Sequence, residues 1–207
     1  MSMTTTWGYT LADVDALPGI LPDWEYDEFT AGKYVNDTRR IVNINAAEAA
    51  IRNYCGWHVA PSLACKLSTT FYDRRVSRVK DTIIVQLPAS FVTDVSAVKI
   101  DGTAYSTFVF ETSGILRIYG APYLVHPYTT IEVEYTAGVD DGSASALKEL
   151  IAHRVTHALT TTTGVQSESA GGVSVTYNAA WTNNTRATAL PDDNKEVLAP
   201  YRVRGVY

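Results

Sequence analysis

Thr130-Ile-Glu-Val-Glu-Tyr135 alternates without a break, with Ile131, Val133 and Tyr135 on one side and Glu132 and Glu134 on the other. Side chains of an extended strand point to opposite faces in turn, so this stretch reads as a strand with one dry and one wet face. Working back along the chain, Val95–Ile100 runs into Asp101-Gly102, the strongest two-residue hairpin signal present. Tyr105–Phe110 then returns, and Ser113-Gly114 turns into Ile115–Tyr119. Further back lie Leu67–Tyr72 and the β-branched Thr82–Leu87, which ends at Pro88. Five or six short strands joined by short turns over residues 63–136 predict an antiparallel sheet or small barrel.

Helical patterns flank this region. From residue 37 to 55, Ile41, Ile44, Ala47, Ile51 and Tyr54 recur at spacings of three and four, with Asn36 or Asp37 able to cap and Gly56 to stop the helix. Trp57-His-Val-Ala-Pro61 leads away in extended form, because the residue before a proline avoids the helical region. Ser143 caps a second helix, 144–163, whose apolar face carries Leu147, Leu150, Ile151, Val155, Ala158 and Leu159. Pro191 opens a last short helix, about Asp192 to Ala199, and Pro200 ends it. Residues 1–36 mix Pro18, Gly19, Pro22 and Gly32 with acids and aromatics. They read as an arm lying on a surface, with at most one helical turn at Asp13–Leu17.

The expected fold class is therefore α+β: a small helical bundle with an inserted antiparallel β subdomain and extended terminal arms. Its parts are an N-terminal arm (1–36), a core (37–164: helix 37–55, β insertion 63–136, helix 144–163), a hairpin arm and loop (165–189), and a C-terminal helix and tail (190–207).

The 207 residues are 46% apolar and 19% charged, a globular balance. The 17 lysines and arginines against 22 acids give a net charge of −5, unlike the basic balance of a protein that grips nucleic acid. Two cysteines, Cys55 and Cys65, are too few for a disulfide framework and fit a reducing compartment. No apolar run approaches the roughly 18 residues of a membrane span, and Met1–Thr10 has no leader pattern, so neither a membrane segment nor a signal peptide is expected.

No catalytic constellation emerges. His153 and His157 share a helix face, but the residue after His153 is Arg154 where a zinc protease needs a glutamate, so partner contact or a hydrogen-bonded core role suits them better. Asp140-Asp-Gly142 lacks the alternating ligands of a calcium loop. Cys55 near His58 reads as a small buried hydrophobe rather than a nucleophile. Glycine-rich nucleotide motifs and the nucleophile elbow are missing, so no cofactor and no metal are expected. One basic cluster, Arg74, Arg75, Arg78 and Lys80, sits in the turn between the first two predicted strands, diluted by Asp73 and Asp81. These four are the candidates for contact with DNA or an acidic partner, and such contact would be weak and salt-sensitive. What remains is work done by surfaces: an aromatic-rich N-terminal arm, a Gly-Gly hairpin arm near 171, and the alternating apolar and basic tail Tyr201-Arg-Val-Arg-Gly-Val-Tyr207.

Several strings are familiar. Ala49-Ala-Ile-Arg-Asn-Tyr-Cys-Gly-Trp-His-Val-Ala-Pro61 resembles the first core helix and exit of head–tail connector proteins, the head-completion adaptors of long-tailed bacteriophages. Val133-Glu-Tyr-Thr-Ala-Gly138 resembles the entry to their second core helix. Glu168-Ser-Ala-Gly-Gly-Val-Ser-Val-Thr-Tyr177 is similar to their arm after that helix, and Val197-Leu-Ala-Pro-Tyr-Arg202 to their C-terminal helix end.

The resemblance implies a non-enzymatic virion protein of the neck, assembled in the host cytoplasm. It implies a ring of about twelve identical subunits, built by one interface repeated head-to-tail. Its partners would be the portal protein, stopper or tail proteins, other copies of itself, and genomic DNA passing non-specifically through the lumen, with no membrane. Leu198, Tyr201, Arg202, Arg204 and Tyr207 become the portal-docking candidates. Gly171, Gly172, Val173, Val175 and Tyr177 would contact a neighbouring subunit or the next ring down. Deleting residues 198–207 is expected to leave the monomer folded. Another neck or tail-completion ring, a stopper or tail terminator, is the alternative, and a phage enzyme a more distant one.

Overall fold

A computed structural model describes residues 2–120, 128–160, 167–170, 173–176, 190 and 192–203. The chain divides into two compact units. One comprises Met1–Pro18, Cys55–Ser143 and Pro200–Tyr207; the other comprises Gly19–Tyr54 and Ala144–Ala199.

The first unit is built on strands. β1 (Met3–Thr4), β2 (Thr10–Leu11), β3 (Leu63–Thr70), β6 (Val92–Ile100), β7 (Thr103–Ala104) and β10 (Thr130–Ala137) form one sheet in the order β1-β2-β3-β10-β6-β7. β4 (Val76–Val79), β5 (Thr82–Gln86), β8 (Phe108–Phe110) and β9 (Ile115–Ile118) form a second in the order β4-β5-β9-β8. Every pairing given by the ladders is antiparallel.

The alternation at 130–135 is what makes β10 central. It buries Ile131, Val133, Tyr135 and Ala137 and leaves Glu132 and Glu134 half-exposed, where Lys66 Nζ on β3 reaches both at 3.7 and 3.6 Å. Such surface pairs add little energy but fit the cross-strand register. On its other side β10 meets β6 through two irregularities, one between Glu134 and Tyr135 and one between Thr136 and Ala137. The extra residues there, Ser96 and Thr93, donate their hydroxyls to the carbonyls of Glu134 and Thr136, so the bulges stay hydrogen-bonded. Asp101 and Gly102 both take positive φ, as a tight hairpin requires, and Asp101 Oδ1 accepts the Thr130 amide at 2.7 Å.

The second unit contains α1 (Asp23–Phe29), most of α2 (Arg39–Cys55), α3 (Ser145–Thr160) and α4 (Asp192–Leu198), together with the hairpin β11 (Ser167–Ala170) and β12 (Val173–Thr176). Polar ties bind the helices. Arg40 Nη1 donates to Asp27 Oδ1 at 2.8 Å, Tyr26 and Thr156 share a hydroxyl hydrogen bond at 3.2 Å, and the buried Lys148 Nζ donates to both oxygens of Glu25 at 2.9 and 2.8 Å. Lys148→Met is expected to cost about 3 kcal/mol in urea unfolding, because it strands a carboxylate that is mostly out of water. Adding Glu25→Leu should recover most of that loss, and a single variant as stable as the parent would sink this reading.

The expectation of a small helical bundle with extended terminal arms is overturned. Two antiparallel sheets dominate, and the longest described helix has seventeen residues. The N-terminal region is not an extended arm, because Thr10 and Leu11 pair with Lys66 and Cys65, Tyr9 and Leu11 are buried, and residues 23–29 are helical. Asp13–Leu17 is not helical. Tyr105–Phe110 is not one returning strand: β7 ends in the first sheet and β8 begins in the second. Within α2, Ile44, Ala47 and Ile51 are buried as the periodicity requires, whereas Ile41 is exposed in the first turn.

Candidate functional site

Gly56 ends α2 with φ of +80°, the left-handed turn that glycine adopts without cost, and sends the chain into Trp57. Trp57 is fully buried. Its indole N–H donates to the Tyr201 carbonyl at 2.6 Å, its ring stacks on Phe91 (6.3 Å, 8°), and Phe91 stacks in turn on Tyr201 (5.4 Å, 24°). Phe91 holds φ of +54°, an uncommon backbone for a bulky residue, which places its ring between the other two. Two residues further on, the Val203 amide donates to the Cys55 carbonyl at 3.1 Å and satisfies one of the acceptors left open at the end of α2.

The C-terminal segment is thus fastened on both sides of Arg202, which is exposed. A shallow pocket of about 210 Å³ lies there, lined by Ser90, Phe91, Thr112, Ser113, Pro200 and Arg202. Its lining sets one guanidinium beside three hydroxyl side chains, of which Ser113 donates to Glu111 Oε2 at 3.2 Å.

The same unit pins its other end with a polar core. His58 Nε2 faces the Ala137 carbonyl at 2.9 Å and must donate to it, which leaves Nδ1 to accept the Tyr9 hydroxyl at 2.7 Å. The His58 amide also donates to the Tyr9 oxygen at 3.1 Å. At Gly138 a Cβ would overlap the Pro61 carbonyl, so the strand can pass this close only with glycine.

Of the tail candidates, Leu198 is fully buried, Tyr201 is half-buried in the aromatic stack, and Arg202 is exposed. Arg204 and Tyr207 lie outside the described residues, as do Gly171, Gly172 and Tyr177. Val173 and Val175 sit on β12, paired with Ala170 and Glu168 of β11.

The basic cluster does not lie on a single loop, because residues 76–79 are strand β4. Arg75 is committed internally: its amide donates to Asp73 Oδ1 at 2.9 Å, and its guanidinium packs over Gly8 and donates to the Trp7 carbonyl at 3.3 Å. Arg78 Nε donates to the Lys80 carbonyl at 2.8 Å. Arg74 and Lys80 are exposed. Cys55 and Cys65 are both buried, and burial pushes each thiol up to about 12. His153 is exposed on α3, and His157 is half-buried, its pKa held below the ordinary imidazole value first by burial and then by its neighbours His153 and Arg154. Among the described residues no group of three or more histidines, cysteines and carboxylates is placed to hold a metal ion, and no helix is long and apolar enough to cross a membrane.

Sequence reasoning missed Trp57 and Phe91 as the anchors of the tail. Trp57 stands out by following a helix-ending glycine; nothing local marks Phe91. A family model described as head completion protein matches residues 20–203. No curated protein matches the sequence.

Proposed function

The chain belongs to the head completion protein family, structural components of the bacteriophage virion at the head–tail junction, and from this we propose that identical copies form a ring adaptor between the portal and the tail or stopper. The family match carries the reading, since it spans both the Trp57 exit and Tyr201. Genomic DNA passes through the channel without sequence recognition. At −5 per copy, a ring of about twelve would carry roughly −60, which repels phosphate and favours sliding. Arg74 and Lys80 are the exposed cations of the 74–80 cluster left for DNA or an acidic partner surface. The protein acts by contact, without catalysis or cofactor, at the virion neck after assembly in the host cytoplasm.

Portal docking falls to Arg202, Arg204 and Tyr207, with Tyr201 as the anchor and Leu198 as the buried root of the segment. Arginine and tyrosine are enriched among residues that dominate interface energies. The 171–177 arm reaches a neighbouring subunit or the next ring, which suits a two-stranded hairpin that has little stability by itself.

The burial of Leu198 changes where the tail should be cut. Removing residues 198–207 would take Leu198 and the Trp57 acceptor with it and destabilise the fold. Truncation after Val203 keeps both. The shorter truncation is expected to unfold at the parent urea midpoint and to yield DNA-filled heads that lack tails. Normal tail attachment would contradict the docking assignment.

A further inference from the structure

The N-terminal hairpin and the C-terminal segment of the first unit are fastened to one dipeptide, Trp57-His58. Trp57 holds the C-terminal segment, through its indole N–H on the Tyr201 carbonyl and through the stack that runs from Trp57 over Phe91 to Tyr201. His58 holds the hairpin, since its ring and its amide both bond the Tyr9 hydroxyl. The Trp57 and His58 rings meet edge-on at 5.1 Å, so the two holds touch each other.

The hairpin depends on this hold. β2 offers β3 only two ladder pairs, Thr10 with Lys66 and Leu11 with Cys65, extended by the Ala12 amide on the Ala64 carbonyl at 2.9 Å. A two-stranded ribbon has little stability by itself, so the buried side chains of Tyr9 and Leu11 carry the attachment.

The backbone just beyond the dipeptide is strained. Val59, fully buried, takes φ of +68°, a conformation that a β-branched residue avoids. Its carbonyl accepts the Val139 amide at 2.8 Å, and the Ala60 amide donates to the His58 carbonyl at 2.9 Å. Such a backbone persists only while its surroundings over-determine it. Loosening either hold lets this exit relax and so weakens the other.

We propose that Trp57-His58 couples the two ends of the chain: seating the C-terminal segment tightens the N-terminal hairpin, and loss of either hold loosens both. The coupling is reciprocal, as any free energy shared between two sites is. It stands apart from the adaptor reading, and where the C-terminal segment docks on a partner, the effect reaches the hairpin as well.

Hydrogen exchange followed by nuclear magnetic resonance in the full-length protein tests it. The Thr5 amide, bonded to the Tyr9 carbonyl at 2.9 Å, and the Ala12 amide report on the hairpin, and the Val203 amide, bonded to the Cys55 carbonyl, reports on the C-terminal segment. Tyr201→Ala is expected to speed exchange at Thr5 and Ala12 about fivefold, and Tyr9→Phe to speed it at Val203 to a similar degree. Tyr201→Phe keeps the stack and should leave Thr5 and Ala12 at the parent rates. Ile118→Val trims a buried side chain in the second sheet, away from the dipeptide, and serves as the control for general loosening. Circular dichroism checks that each variant folds, and Tyr9→Phe reads the coupling from the other end should Tyr201→Ala fail to fold. Parent rates at Thr5 and Ala12 in a folded Tyr201→Ala variant would overturn the proposal. So would equal acceleration of these amides by Ile118→Val. Neither result would touch the adaptor reading, which rests on the family match.

Discussion

Replacing Trp57 with alanine is expected to lower the unfolding free energy by about 5 kcal/mol, near the upper end for removing a buried aromatic. The side chain is fully buried, packed edge-on against His58 and face-on against Phe91. Alanine removes those contacts and leaves a cavity. It also strips the Tyr201 carbonyl of its donor, which adds roughly 1 kcal/mol where water does not replace it. Trp57→Phe keeps most of the stack and loses the hydrogen bond, so about 1–2 kcal/mol is expected for it. Urea titration followed by far-ultraviolet circular dichroism measures both. The alanine variant should also release the C-terminal segment, made visible as faster proteolysis after Tyr201 at low urea. A midpoint unchanged from the parent would contradict the anchoring role.

The second large effect is expected at Glu48. This buried carboxylate accepts the amides of Ile20 and Leu21 on one oxygen, at 2.7 and 2.9 Å, and faces Arg52 with the other at 3.6 Å. It replaces the hydrogen bonds that the chain cannot make to itself where it passes Gly19 to enter α1. Glu48→Ala leaves two buried donors and a buried guanidinium without this partner, at a cost of about 4 kcal/mol. Glu48→Gln retains an acceptor of the same shape and should cost about 1 kcal/mol or less near neutral pH.

The acid dependence separates these variants further. Burial holds the Glu48 carboxyl above its ordinary value of 4.5, against the lowering pull of the Leu21 amide, Arg52 and the Ile20 amide. The folded chain therefore binds this proton more readily than the unfolded chain. The contribution to stability is greatest below the unfolded value and declines as pH rises through the folded one, staying at its lower level above it. Glu48→Gln does not titrate. On acidification from pH 7 to about 5, the parent should gain stability relative to Glu48→Gln. A parent that loses ground to the glutamine variant over that range would show the opposite shift.

The sequence makes part of this fold readable, and the reason is local. β10 alternates because one face is wet, and Asp101-Gly102 supplies the positive φ its turn needs, so both are recognisable without knowledge of any partner. β4 hides because Val76-Ser-Arg-Val79 is four residues long and its arginine reads as loop. β1 and β2 are two residues each, below any periodicity, and exist only because β3 offers an edge. α1 carries a usable start signal, Pro22 followed by Asp23 and Glu25 in the first turn, but its surrounding prolines and glycines mask it. The crossing from β7 to β8 is a matter of pairing, β7 with β6 and β8 with β9, and so a property of the whole unit. The site divides the same way. Tyr201 and Arg202 stand out by residue type, whereas their anchorage depends on Trp57, 144 residues away, and on Phe91 in a strained turn.

Leu198 is a docking candidate only through the family resemblance, and the structure places it in the protein's own interior. The net charge of −5 argues against gripping nucleic acid, and in the proposed ring it would favour sliding of DNA.

Electron microscopy of isolated DNA-filled heads, with this chain located by an antibody or an added tag, tests the adaptor reading most directly. The chain is expected at the portal vertex alone, as a ring of about twelve copies whose C-terminal segments meet the portal. A six-fold ring carried by tails separated from heads, or heads that bind tails without the chain, would contradict it.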